Sequence, residues 1–158
     1  MICGIDPGKK GGLCVIDMQG KIVDLEIVKH TKDNIDLPSI KCFIKQYKDK
    51  VNMFYVERPH AIKLWGVSVS FKLGLYCGNI EGILAGLEAP YTLVKPKAWQ
   101  AVMHEGTSPE IPAKERSLQV VQRLVPEQKF MINVQSKKPH DGLVDAFLIA
   151  KYGLSKTK

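Results

Sequence analysis

The chain has 158 residues, of which 45% are apolar and 25% charged, and it carries a net charge of +7. That length fits one domain with a core of its own, and the positive balance favours a polyanionic partner such as nucleic acid. No apolar run reaches the roughly 18 residues of a membrane span, and the start "MICGIDPGKK" lacks a basic-then-apolar leader, so an intracellular, cytoplasmic protein without a membrane partner is expected.

In chain order, "MICGID" reads as a buried strand and "DPGKKGG" as a turn, where Pro fixes one dihedral and the glycines permit tight geometry. "LCVIDMQG" and "KIVDLEIVKH" read as two more strands with a turn at Gln19-Gly20, completing an antiparallel meander. "LPSIKCFIKQYKDK" places Ile40, Phe43, Ile44 and Tyr47 at helical spacing, and "VNMFYVE" is a fourth strand ending at Glu57. After the loop "ERPHAIKLWG", a long helix is predicted from Val67 to about Leu87. It carries Gly74, Gly78, Gly82 and Gly86 four apart, each costing about 0.8–1 kcal/mol against Ala unless close approach of another backbone is wanted. Packing against the sheet or a neighbouring helix is the preferred reading of that stripe, and a dimer contact the other.

"APYTLVKP" is a fifth strand stopped by Pro96, followed by a short helix near 98–103 and a loop, "HEGTSPEIPAK". A helix spans 112–124, with Pro where a helix start tolerates it. "PEQKFMINVQSKKPH" is irregular. The last helix is predicted from Asp141 to Tyr152 and ended by Gly153, so residues 1–153 form one domain and 154–158 a basic tail. The four cysteines, Cys3, Cys14, Cys42 and Cys77, show neither C-x-x-C nor zinc spacing and are expected as buried free thiols. A meander followed by strands with crossover helices predicts a mixed α/β, ribonuclease H-like five-stranded sheet flanked by helices.

The carboxylates give that fold a centre. Asp6 ends the first strand and Glu57 the fourth, so as parallel neighbours they would lie side by side at the end of the sheet where sites cluster. In "KKPHDGLVDAFLIAKYG", Asp141 sits where an N-cap belongs, and Asp145 follows at i+4 on the same face, where like charges repel. Four gathered carboxylates need cations between them. Mg²⁺ suits an all-oxygen set, and two such ions about 3.5–4 Å apart would activate a water and stabilise the leaving oxygen of a phosphodiester.

"GIDPG", "YVERPH" and "HDGLVDAFLIA", with "GVSVSFKLGLYCGNIEGILAGLEAPYTLVKPKAW" between them, resemble the RuvC-like Holliday junction resolvases, most of all the compact bacteriophage-encoded type. The resemblance covers roughly residues 2–153. It implies a ribonuclease H-like fold, a homodimer, Mg²⁺ or Mn²⁺ with two ions per site, and paired nicks in a four-way or other branched DNA. Asp6, Glu57 and Asp145 carry over as catalytic metal ligands by motif. The fourth ligand departs from the bacterial pattern, whose final pair is three apart, because that position is Gly142 here. Asp141, only about 40° off the Asp145 face of the helix, is taken as the fourth, as in the similar fungal mitochondrial resolvases. His140, about 140° off, is left as a proton shuttle or a phosphate contact. "PAKERS" resembles the segment that carries a lysine near the scissile phosphate, matching Lys114, whereas a second family lysine falls near Gln100 and is missing.

Lys9 and Lys10 flank Asp6; Arg58, His60 and Lys63 follow Glu57; Lys137, Lys138 and His140 precede or adjoin Asp141; Lys72 lies on the long helix. Positive charge beside each acidic motif suits a phosphate track. Trp65 is expected to stack on an opened base or to belong to the core. A ribonuclease of the same fold acting on RNA or an RNA–DNA hybrid, and a non-catalytic branched-DNA-binding module, are the alternatives. "ERPH" and the glycine-rich helix argue against the first, and retention of all four carboxylates against the second. "GIDPG" also occurs in actin and sugar-kinase ATPases, which need a second related domain and far more chain.

Overall fold

A computed structural model describes residues 1–32, 34–58 and 66–157. His60, Lys63 and Trp65 lie outside the described residues. Five strands form one sheet in the order β3-β2-β1-β4-β5, with β1 Ile2–Asp6, β2 Gly12–Ile16, β3 Ile22–Ile27, β4 Met53–Glu57 and β5 Tyr91–Val94. The first three pair antiparallel, and β1–β4 and β4–β5 pair parallel, which is the mixed sheet expected. Gly20, at φ +84°, makes the turn before β3.

Alternation along the strands feeds two apolar layers. Cys3 and Ile5 of β1, Leu13 and Val15 of β2, and Phe54 and Val56 of β4 pack with α1 (Leu37–Tyr47) and α2 (Val67–Gly86). Ile2, Cys14, Ile16 and Tyr55 face the other way, against α3 (Pro96–Met103), α4 (Ala113–Leu124) and α5 (Asp141–Ser155). By the same parity, Asp6 and Glu57 belong to the α3–α5 side.

Helix α5 lies on β1 and β2 almost backbone to backbone. A Cβ on Gly4 would fall 2.2 Å from the Ala146 carbonyl oxygen, one on Gly12 2.5 Å from that of Gly142, and one on Gly142 1.8 Å from that of Lys10. Gly153 does not end the helix as expected. The helix continues to Ser155, and Gly153 gives room to the Tyr55 ring, 2.4 Å from where a Cβ would stand. Leu154 packs on the core beyond it.

Two further expectations are corrected. Among the described residues the glycines of α2 are not a packing seam, because Cβ atoms at Gly74, Gly78, Gly82 and Gly86 would meet nothing within 4 Å there. The helix packs through Tyr76, Cys77, Ile80 and Leu84 and turns its glycines outward. Cys42 is exposed, whereas Cys3, Cys14 and Cys77 are buried, all as free thiols.

These two classes of glycine respond oppositely to a methyl group. Gly4→Ala is expected to destabilise by about 3 kcal/mol or more, because the obstructing atoms are backbone. Gly78→Ala is expected to stabilise the fold by about 0.8–1 kcal/mol through helix propensity. Urea unfolding of both variants checks the contrast.

Candidate active site

The sheet brings Asp6 and Glu57 together. Ile5 pairs with Val56 in the parallel β1–β4 ladder, so the next residue on each strand closes the same end. Asp6 is fixed by its own turn, where the Gly8 N–H donates to Oδ1 at 2.9 Å. Glu57 is fixed from α3, where the Trp99 indole N–H donates to Oε2 at 2.6 Å. Asp145 enters from the first turns of α5, whose start is pinned to the β1–β2 turn by the contact of Gly142 with Lys10.

Asp141 is placed differently from expectation. His140 is the N-cap, without a side-chain cap bond, and Asp141 is the first helical residue. Its Oδ2 accepts a hydrogen bond from Lys114 Nζ at 2.7 Å. The pair is largely exposed, 73% and 44% of the two side chains, so it contributes little to stability and can open readily. The geometry also explains why the acid precedes Asp145 by four residues instead of three. Any side chain at 142 would collide with the Lys10 backbone, so a carboxylate can stand at 141 but not at 142.

The three partly buried carboxylates are strained electrostatically. Burial raises Asp6 well above its usual value, helped by the charges of Glu57 and Asp145 and opposed by the Gly8 N–H. Burial pushes Glu57 up to about 7, opposed by the Trp99 N–H. Burial likewise raises Asp145 to about 6, opposed by the neighbouring Ser117 hydroxyl and reinforced by the charge of Asp141. Lys114 is raised chiefly by its bond to Asp141.

Among the described residues, no group of three His, Cys, Asp or Glu side chains stands at ligating distance as placed. The chemistry of the donors nevertheless suits a divalent cation. All are hard oxygens, they raise one another's proton affinity, and Asp6 Oδ2 and Glu57 Oε1 have no hydrogen-bond donor among the described residues.

Two cavities carry basic residues singled out above. One, of about 370 Å³, lies between α4 and the start of α5 and is lined by Lys114, Ser117, Lys138, Asp141 and Asp145. A second, of about 380 Å³, gathers Lys9 and Lys72 with His30, Lys32, Asn34 and Tyr76. Lys10, Arg58 and Lys137 are exposed and make no ion pair among the described residues. His140 is half-buried, its Nδ1 is buried without a hydrogen-bond partner among the described residues, and burial lowers its proton affinity.

Four residues of this surface escaped the sequence reading. His30 and Lys32 extend the basic cavity from the segment after β3. Trp99 and Ser117 touch or face the carboxylates from α3 and α4. Their signal was a polar group on a buried helix face: Ser117 shares the apolar stripe of Val120 and Val121, and a buried Trp needs an acceptor for its N–H.

No protein-family model matches the chain, and no curated protein does. Among solved structures, a Thermus thermophilus RuvC structure matches over 99% of this chain and 95% of its own, at 18% identity and TM-score 0.67. T. thermophilus RuvC in complex with a Holliday junction substrate matches over 96% and 90%, at 17% identity and TM-score 0.64. The chain has a RuvC-like fold. Its mixed five-stranded sheet and flanking helices are thereby the ribonuclease H-like architecture expected.

The raised carboxyls set the sign of a pH dependence. Glu57 and Asp145 hold protons more tightly folded than unfolded, so their contribution to stability is full below about 4 and is lost as pH rises to about 7. In EDTA, the melting temperature of the wild type is expected to fall over that window relative to Glu57→Gln and Asp145→Asn. Mg²⁺ is expected to restore it at pH 7.5. Parallel pH profiles for all three proteins would show that neither carboxyl is raised.

Proposed function

We propose that the protein is a metal-dependent, structure-selective endonuclease that makes paired nicks in four-way or other branched DNA. The observation that carries the reading is the meeting of Asp6 and Glu57 on adjacent parallel strand ends with Asp145 of α5, in a RuvC-like fold. A RuvC of that fold has been solved with a Holliday junction substrate, which supports branched DNA as the ligand class.

Asp6, Glu57 and Asp145 would hold Mg²⁺ or Mn²⁺, with Asp141 as a fourth ligand once it leaves Lys114. Divalent cations bound there supply the positive charge that makes water a nucleophile and stabilises the leaving oxygen of a phosphodiester. The chain's own groups do the rest. Lys114 is tethered 2.7 Å from Asp141 at the mouth of the cavity, where a phosphate oxygen would compete for the ammonium. Lys138 lines the same cavity, and His140 stands next to Asp141 at its edge. In a second cavity, Lys9, Lys72 and Lys32 offer another stretch of positive surface, and Lys10, Arg58 and Lys137 add exposed charges next in sequence to the acidic motifs. Such contacts set the path of the phosphodiester backbone without reading bases.

The protein acts as a homodimer in this reading, with two sites for two strands. Helix α2 supplies the surface: Val67, Val69 and Phe71 are 88, 57 and 70% exposed, and among the described residues nothing covers the glycine face. A second copy could approach there backbone to backbone.

Asp6→Asn and Asp145→Asn are expected to reduce cleavage of a labelled four-way junction in Mg²⁺ to background while leaving junction binding largely intact, since binding rests on the basic surface. Symmetric nicks confined to the junction are expected for the wild type. Cleavage of an RNA–DNA hybrid alone would place the protein among ribonucleases. Tight binding without cleavage in Mg²⁺ or Mn²⁺ would leave a branched-DNA-binding module.

A further inference from the structure

The buried side of the site contains a chain of contacts that neither core packing nor DNA binding requires. Trp99 is fully buried, and its indole N–H donates to a carboxylate, Glu57, when a backbone carbonyl would satisfy it equally well. A bond of 2.6 Å to an anion is of the charge-assisted, directional kind. The opposite edge of the network is also built. The His104 ring meets Trp99 edge to face at 5.6 Å, and its Nε2 lies 3.0 Å from Ser117 Oγ. His104 and Ser117 are each only 2% exposed. Ser117 in turn lines the same cavity as Asp145. Its hydroxyl opposes the protonation of that carboxyl.

Three helices therefore contribute to one network: Glu57 bonds Trp99 on α3, Trp99 meets His104 just after it, His104 bonds Ser117 on α4, and Ser117 shares its cavity with Asp145 of α5. If these positions served packing alone, apolar residues of similar shape would fill them at little cost, because a buried polar pair adds modest net stability. Polar groups kept dry behind two carboxylates have a clearer use. The Trp99 bond holds one oxygen of Glu57 and leaves the other without a donor among the described residues, and the His104–Ser117 pair packs a hydroxyl into the cavity beside Asp145.

We infer that Trp99 and the His104–Ser117 pair are positioning residues that hold Glu57 and Asp145 in the orientation needed to receive a divalent cation. The inference rests on the metal-dependent reading above. Outer hydrogen-bond partners of metal-binding side chains typically contribute 10–100-fold to affinity. Trp99→Phe keeps an aromatic ring in the core and removes only the donor. Ser117→Ala removes the hydroxyl without adding bulk, and Ser117→Thr restores it.

The test is Mn²⁺ affinity of the full-length protein, read by titration calorimetry, beside thermal unfolding and junction binding in EDTA. Trp99→Phe and Ser117→Ala are expected to bind Mn²⁺ about 10–100-fold more weakly than wild type while melting cooperatively and binding junction DNA normally. Ser117→Thr is expected to recover most of the loss. Wild-type Mn²⁺ affinity in both variants would overturn the positioning role and leave the metal reading intact. No Mn²⁺ binding by the wild type would remove the metal reading and this inference with it. If Trp99→Phe does not fold, Ser117→Ala against Ser117→Thr decides the question.

Discussion

The near-contact of α5 with the backbones of β1 and β2 is the constraint on which the rest depends. Gly4, Gly12 and Gly142 remove every side chain that would hold the two layers at ordinary helix-on-sheet distance. The helix start therefore lies against the turn that follows Asp6, and Asp145 reaches carboxylates that belong to the sheet. The same closeness forbids a carboxylate at 142 and moves the fourth acid to 141. That residue faces outward enough to pair with Lys114.

This placement is electrostatically unfavourable by itself. Three carboxyls raised by burial and by one another mean that the protein is folded around repulsion it would lower by binding a proton or a cation. The apolar layers on both sides of the sheet offset that strain, and the hydrogen bonds from Gly8 to Asp6 and from Trp99 to Glu57 moderate it. A pre-formed concentration of negative charge in a protein of net +7 also separates the two tasks. In the proposed reading, the basic residues around the acids would attract a phosphate backbone and the acids at the strand ends would be left for a cation.

Much of this was legible in the sequence. Strand alternation is a local property, so the meander, β4 and the strand-end positions of Asp6 and Glu57 could be read residue by residue. The order of elements then gave the sheet. What failed depended on which surfaces meet. Helix α2 is apolar around most of its circumference, so spacing alone could not say that its glycines face outward and Tyr76, Ile80 and Leu84 inward. Asp141 has the composition of a cap, but the chain enters through His140, so the carboxylate is turned to Lys114. Gly153 looked like a stop signal because a clearance for the Tyr55 ring has no local signature. Trp99 was hidden for a similar reason: its acceptor is 42 residues away along the chain.

The bond between Trp99 and Glu57 also makes the site visible to light. An indole with no exposed surface, donating to a carboxylate whose charge varies near neutral pH, sits in a local field that changes whenever that charge is neutralised. Its emission is thus an internal optical gauge of the occupancy of the strand ends, read without a label on either protein or DNA.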